Sequence, residues 1–206
     1  LLEAAASLKS FRPRGEDRDG DGGPQGGGGR NPDVSFHGQK RANATHASRT
    51  DPDARLCRIK GKEARLAYRG HLLIENRNGL IVSSALTTAT GKAEEEAALG
   101  LLAKERKRRR GRLTVGADRG YNTRSFVNAT RALNITPHVA EKKRYSAIDG
   151  RTTTGDGYAL SIRRRKIVEE AFGWMKTVGG LRKLRHRGEA KVRAVFTFTC
   201  ACFNLV

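Results

Sequence analysis

The 206-residue chain is long enough for one domain with a hydrophobic core, and 37% apolar content suits that if part of the chain stays unpacked. Its 41 Lys and Arg against 21 Asp and Glu give a net charge of +20, which calls for an anionic partner, and nucleic acid is the commonest. No run approaches the roughly 18 apolar residues of a membrane span and no signal peptide opens the chain, so the expectation is a soluble, intracellular protein with no membrane partner. Cys57, Cys200 and Cys202 are odd in number and lack CxxC spacing, which argues against a disulfide framework or a structural zinc site.

In chain order, residues 15–30 hold eight glycines among sixteen residues and cannot bury enough apolar surface to offset their ordering entropy. Residues 15–32 are therefore expected to be a flexible Gly-rich insert within a single domain spanning 1–206. Asp17, Asp19 and Asp21 alternate there, but no glutamate follows at the spacing of a calcium loop. Residues 64–90 have β character, with Asn78-Gly79 between two apolar runs as a hairpin signal. Residues 92–103 read as a helix, and the basic block 104–112 separates it from a short strand, 113–117, that ends at Asp118. A helix over about 123–133 follows, then a strand over 135–140 that contains Pro137 and so belongs at an edge. After a polar loop over about 145–157, one long helix is expected over about 160–178, and the tail from Ala190 forms a last apolar helix. The order is that of an α/β fold with antiparallel and parallel pairings.

At 100° per residue, Arg165, Glu169 and Lys176 fall within about 40° of one another, beside an apolar arc that includes Ile167, Ala171, Phe172 and Met175. An ordinary salt-bridged surface gives the same pattern. Asp118, at the carboxyl end of a short buried strand, lies where open α/β sheets place their ligand crevices, although an aspartate there also suits the cap of the next helix. Two carboxylates brought together would repel unless a cation sat between them, and Mg²⁺ takes few protein carboxylates along with water and phosphate oxygens. Such a site suits phosphoryl transfer.

Ala117-Asp118-Arg119-Gly120-Tyr121, Pro137-His138-Val139-Ala140, the run from Ile148 to Thr153 and the run from Val168 to Thr177 resemble the catalytic region of bacterial DDE-type insertion-sequence transposases. So do Phe36 to Arg41, Thr45 to Ser48, Gly179 to Lys183 and Phe203 to Val206. The resemblance implies an RNase H-like mixed sheet flanked by helices, its first strand truncated or missing, and an Arg-x3-Glu-x6-Lys signature carried by Arg165, Glu169 and Lys176. It implies Asp118 and Glu169 as catalytic metal ligands for Mg²⁺ or Mn²⁺, with DNA cleavage and strand transfer as the chemistry. Arg165 and Lys176 would hold the DNA backbone. Glu170 is the weaker alternative to Glu169, since it projects about 100° away. The implied setting is the cytoplasm of a bacterium, at the nucleoid, with double-stranded transposon ends and target DNA as partners and a homodimer on DNA as an assembly.

Two departures stand out. Ile162 occupies the position where the family signature has a tyrosine three residues before the arginine. The first aspartate of the triad belongs a few residues before the segment matching Leu1 to Ala4, and neither Glu3 nor the acids of the Gly-rich insert stand in for it. A start at Leu1 rather than Met suits a fragment, expected to be inactive alone. Two basic clusters, Arg106-Lys107-Arg108-Arg109-Arg110 and Arg182-Lys183-Leu184-Arg185-His186-Arg187, are dense enough to neutralise several phosphates each. The alternatives are a non-catalytic DNA-binding remnant of a transposase and an RNase H-like nuclease of another lineage. His37, His46, His71, His138 and His186 are scattered and form no metal-ligand pattern.

Overall fold

The computed structural model describes residues 1–14, 41–58, 61, 63–90 and 93–206. The Gly-rich insert, His37, the acids Asp17 to Asp21 and most of the run from Phe36 to Arg41 lie outside them. Among the described residues, eight strands run in chain order, β1 (Leu2–Glu3), β2 (Phe11–Pro13), β3 (His46–Ser48), β4 (Arg55–Cys57), β5 (Arg65–Ile74), β6 (Ile81–Thr88), β7 (Leu113–Ala117) and β8 (Ile135–Val139). Six helices among the same residues accompany them, α1 (Ala93–Arg108), α2 (Arg124–Ala132), α3 (Gly150–Thr153), α4 (Asp156–Arg164), α5 (Ile167–Thr177) and α6 (Glu189–Leu205). The architecture is mixed α/β.

The expected hairpin is β5 and β6, paired antiparallel from Tyr68↔Thr88 to Ile74↔Ile81. Gly79, at φ +79°, takes the left-handed position in the connection, where a Cβ would be strained. The Glu75 carboxylate accepts the backbone N–H groups of Arg77 at 2.8 Å and Asn78 at 2.5 Å, so the turn is capped from its own first residue. On its other edge β5 pairs with β1, through Leu2↔Tyr68 and Glu3↔Ala67. A separate two-stranded sheet joins β7 to β8 in parallel, with Pro137 opposite Val115. Pro137 is tolerated because, among the described residues, β8 has only β7 beside it.

Two buried clusters follow from this division. Leu2, Tyr68, Leu86, Met175, Val192 and Phe196 belong to the first, between the β5 sheet and α5 and α6. Leu102, Val115, Phe126, Val127, Ile135 and Val139 belong to the second, among α1, β7, α2 and β8.

Three expectations are corrected. The helix expected over 92–103 runs on to Arg108, because Glu94, Glu95 and Glu96 in its first turn and Arg106, Lys107 and Arg108 in its last both suit the helix dipole, so the basic block is partly helical. The single helix expected over 160–178 is two, since α4 packs on β7 while α5 packs on β5 and α6, and the trace bends at Arg165 and Lys166 between them. The loop over 145–157 contains the one-turn α3, capped by the Asp149 side chain on the Arg151 N–H at 3.1 Å. The short pairings β2 with β3 and β4 with β5 were not legible in the sequence, each involving only three residues.

Candidate active site

Asp118 leaves the carboxyl end of β7 as the first residue of a single 3-10 turn, and its side chain makes no capping hydrogen bond. The cap of the next helix is Thr123, whose hydroxyl accepts the Phe126 N–H at 3.1 Å. The Asp118 carboxylate is thus released from capping, and it pairs instead with the guanidinium of Arg165, the residue that closes α4.

Gly116 makes that pairing sterically feasible. A Cβ on Gly116 would sit 3.1 Å from the Ser161 carbonyl oxygen and 3.5 Å from the Arg165 Cβ, so a larger residue there would press α4 a few tenths of an ångström off β7. The helix is also fastened to β8. His138 Nδ1 and Ser161 Oγ lie 2.7 Å apart in the interior, and the Tyr158 hydroxyl donates to the Val139 carbonyl at 3.0 Å. Burial, and then the nearby Arg112 charge, lower the His138 pKa, which suits a neutral imidazole in that bond.

Asp118, Arg165, Glu169 and Lys176 all line one cavity of about 880 Å³ between β5 and β7. Glu169 is in the first turn of α5, where a carboxylate suits the helix dipole, and it is solvent-exposed. Glu170 is exposed as well but does not line the cavity. Lys176 is half-buried, its ammonium 6.0 Å from the centroid of the Phe172 ring.

Two other carboxylates in the cavity, Glu94 and Glu105, are already paired. Glu94 accepts from Arg69 at 2.5 Å and from the Tyr121 hydroxyl at 3.2 Å, while buried Glu105 pairs with Arg108 at 3.1 Å and Arg109 at 3.4 Å. Burial, then the Glu94 charge, push the Tyr121 phenol up, so it stays a donor. Glu169, in contrast, forms no ion pair or side-chain hydrogen bond among the described residues. Arg165 keeps a buried Nε–H that has no partner among them.

Two carboxylates on one cavity fall short of a metal cage. Mg²⁺ commonly binds through one or two carboxylates and completes its shell with water and substrate phosphates. Asp118 and Glu169 supply two carboxylates to one cavity, but Asp118 is held by Arg165, and no group of three or more His, Cys, Asp or Glu side chains among the described residues is placed to hold a metal.

The two basic blocks lie apart in the chain and are built differently. In the first, Arg106 donates to the Gly111 carbonyl at 2.6 Å and Arg108 and Arg109 lean on Glu105, while Lys107 and Arg110 are exposed. In the second, Leu181 and Leu184 are buried while Arg182, Lys183, Arg185 and Arg187 are exposed. That segment is anchored by the Leu184 N–H on the Glu3 carbonyl at 2.8 Å and by Arg187 on the Ala5 carbonyl at 3.0 Å.

Sequence reasoning missed Asp51 and Asp53, which hold the amino end of α6. Asp51 is fully buried, and its Oδ1 accepts the Tyr68 hydroxyl at 2.6 Å and the Gly188 N–H at 3.2 Å. Asp53 accepts the Glu189 N–H at 2.9 Å. Only their position shortly after the run Thr45 to Ser48 could have drawn attention to them.

No curated protein and no solved structure matches the chain. The family described as Transposase DDE domain matches residues 33–205, which takes in Asp118, Arg165, Glu169, Lys176 and both basic blocks. The match spans most of the chain, which therefore belongs to the transposase DDE domain family, whose members cleave DNA in transposition with the help of divalent metal ions.

Proposed function

We propose that this chain is the carboxy-terminal part of a DDE transposase catalytic domain, RNase H-like in architecture, that binds double-stranded DNA and is inactive alone because the first aspartate of the triad is not in it. The observation that carries this reading is the gathering of Asp118, Arg165, Glu169 and Lys176 around one cavity. Asp118 and Glu169 would hold Mg²⁺ or Mn²⁺, which when bound supplies activation of the attacking hydroxyl and charge neutralisation at the phosphate.

The chain's own cations do the rest. Lys176 stands ready for a DNA phosphate, whereas Arg165 is occupied by Asp118. DNA arriving with its metal would let Arg165 exchange the carboxylate for a phosphate, since a guanidinium serves either anion with the same donors. Lys107, Arg110, Arg182, Lys183 and Arg185 have no side-chain partner among the described residues and add sequence-independent affinity. A homodimer on DNA remains part of the proposal, as does a cytoplasmic, nucleoid-associated setting.

The Asp118–Arg165 pair also favours a second reading, a non-catalytic DNA-binding remnant in which that ion pair is permanent. Titrating Mg²⁺ and Mn²⁺ against nicking of a duplex separates the two. A transposase fragment with two of its carboxylates in place, though inactive alone in Mg²⁺, shows slow residual nicking forced by high Mn²⁺ that vanishes in Glu169→Gln. A remnant binds and never nicks. Absence of salt-sensitive DNA binding would sink both.

A further inference from the structure

We infer that the loop over residues 141–147 is a nucleic-acid contact whose Tyr145 ring stacks on an unpaired base, so that the chain prefers opened DNA to fully paired DNA. The inference rests on the DNA-binding reading above and adds a specificity to it.

Tyr145 differs from the other three tyrosines of the chain. Tyr68, Tyr121 and Tyr158 each give their hydroxyl to an acceptor, Asp51 at 2.6 Å, Glu94 at 3.2 Å and the Val139 carbonyl at 3.0 Å. Tyr145 is 97% exposed and makes no hydrogen bond or ring contact among the described residues. Its backbone also lies in the left-handed region, at φ +55°. Asn134, the other non-glycine residue described there, is of a type that tolerates this conformation, whereas a bulky ring is disfavoured. Packing does not offset the strain, because the ring is bare. Such a residue persists only where the structure around it dictates the backbone.

Asn122 does the dictating. It is buried, and it closes the 3-10 turn that Asp118 opens. Its Nδ2 donates to the Ala140 carbonyl at 3.1 Å and to the Ser146 hydroxyl at 3.0 Å, and its Oδ1 accepts the Ala147 N–H at 2.6 Å. Its own carbonyl accepts from the Lys142 ammonium at 2.6 Å. Both stems of the loop are therefore pinned to one residue, and Lys143, Arg144 and Tyr145 are left as the exposed tip.

The pinning also sets where the tip stands. Ala117 lies opposite Val139 in the parallel pair, and the Ala140 N–H donates to the Ala117 carbonyl at 2.9 Å. Asp118 and Ala140 thus leave the same end of β7 and β8 side by side, and the tip begins three residues after Ala140. Arg119, next to Asp118, is exposed too, and neither it nor Lys143 or Arg144 has a side-chain partner among the described residues. Within the loop, Glu141 is the one acid against Lys142, Lys143 and Arg144. Free cations on either side of a bare ring match a nucleic-acid strand, whose phosphates take the cations and whose bases offer a face for stacking. In a paired duplex those faces are covered by neighbouring bases. The ring therefore gains only where a base is unpaired.

The test uses the full chain and two labelled duplexes of one sequence, the second with a single bulged 2-aminopurine. Fluorescence anisotropy at fixed salt gives affinity, and quenching of 2-aminopurine reports stacking. The bulged duplex should bind at least about fivefold more tightly than the paired one, with quenching. Tyr145→Phe should keep both effects. Tyr145→Asn should lose both without a fall in Tm, because asparagine tolerates the left-handed backbone. Lys143→Ala with Arg144→Ala should weaken binding to both duplexes by similar factors and lower the salt dependence. A preference that survives Tyr145→Asn would overturn the inference, as would its loss in Tyr145→Phe. If neither duplex binds in a salt-sensitive manner, the DNA-binding reading itself fails, whereas equal, salt-sensitive binding of both refutes the role of Tyr145 alone.

Discussion

The two cores on either side of the cavity are assembled on opposite principles. The core around β7 and β8 is local, its buried residues all falling between Leu102 and Ile148, with α1, β7, α2 and β8 following one another along the chain. The core around β5 and β6 is closed by the chain's two ends, Leu2 and Ala4 meeting Leu181, Leu184 and Phe196. Its locks are long-range. The Asn204 side-chain amide brackets Ile81, accepting its N–H at 2.8 Å and donating to its carbonyl at 2.9 Å. Local cores form early at small entropic cost, whereas one closed by chain ends depends on a few contacts of high loop-closure cost. The second kind should therefore be the easier to break with a single substitution.

The largest effect is expected at Asp51. Asp51→Ala leaves the buried Tyr68 hydroxyl and the Gly188 N–H without their acceptor, at a cost of about 3 kcal/mol. Urea unfolding followed by the fluorescence of Trp174, which packs against this core, measures it. A loss below about 1 kcal/mol would mean that the amino end of α6 is held by Asp53 alone.

Next comes a pH effect centred on His71, buried on the cavity side of β5 with its Nε2 2.8 Å from the Thr87 hydroxyl. Burial lowers its pKa to about 4, Glu94 opposes the shift, and Arg69 and the Leu1 amine reinforce it. A base whose folded pKa lies below its unfolded value of 6.5 is neutral when buried, so the unfolded chain binds more protons between these values. Stability is therefore fully present above pH 6.5 and is lost as pH falls toward 4, by about 2 kcal/mol between pH 7 and pH 5. A His71→Gln chain whose stability falls just as steeply over that range would assign the loss to other groups.

Gly116→Ala tests the boundary between the two regions. The added methyl meets the Ser161 carbonyl, which belongs to a helix backbone and cannot swing away, so about 1–2 kcal/mol is lost as α4 shifts off β7. Arg165 travels with α4, so the variant should also loosen the Asp118 pair and alter DNA affinity at constant salt. Unchanged stability and affinity together would show that α4 yields without strain.

The same division explains what the sequence could and could not disclose. Asn78-Gly79, the acidic start of α1 and the Pro137 edge strand announce themselves within a few residues, because their physics is local. Arg165, Glu169 and Lys176 all line one cavity, but not as one helical face, because Arg165 closes α4 while Glu169 and Lys176 belong to α5. The Asp118–Arg165 pair was not readable, because it depends on the close approach allowed by Gly116. Nor was the role of Asp51, whose partners lie 17 and 137 residues away. The break between α4 and α5 was hidden for a related reason. Helical periodicity continues through Arg165 and Lys166, both in right-handed helical conformation, and only the separate docking of α4 on β7 and α5 on β5 divides them.

The smallest effect should come from the local core. Thr123 caps α2 by accepting the Phe126 N–H, and its hydroxyl also lies 3.0 Å from that of Ser125. Thr123→Ala removes one cap from a nine-residue helix whose Phe126 and Val127 remain fully packed, so the cost should be about 1 kcal/mol. Because α2 contacts β8 and α1 rather than β5, the loss should appear as faster exchange at the first amides of α2 while those of β5 and β6 keep their rates. Equal acceleration in β5 would show that the two cores open together, and the cavity between them would then be spanned by stronger coupling than the Arg69–Glu94–Tyr121 contacts provide.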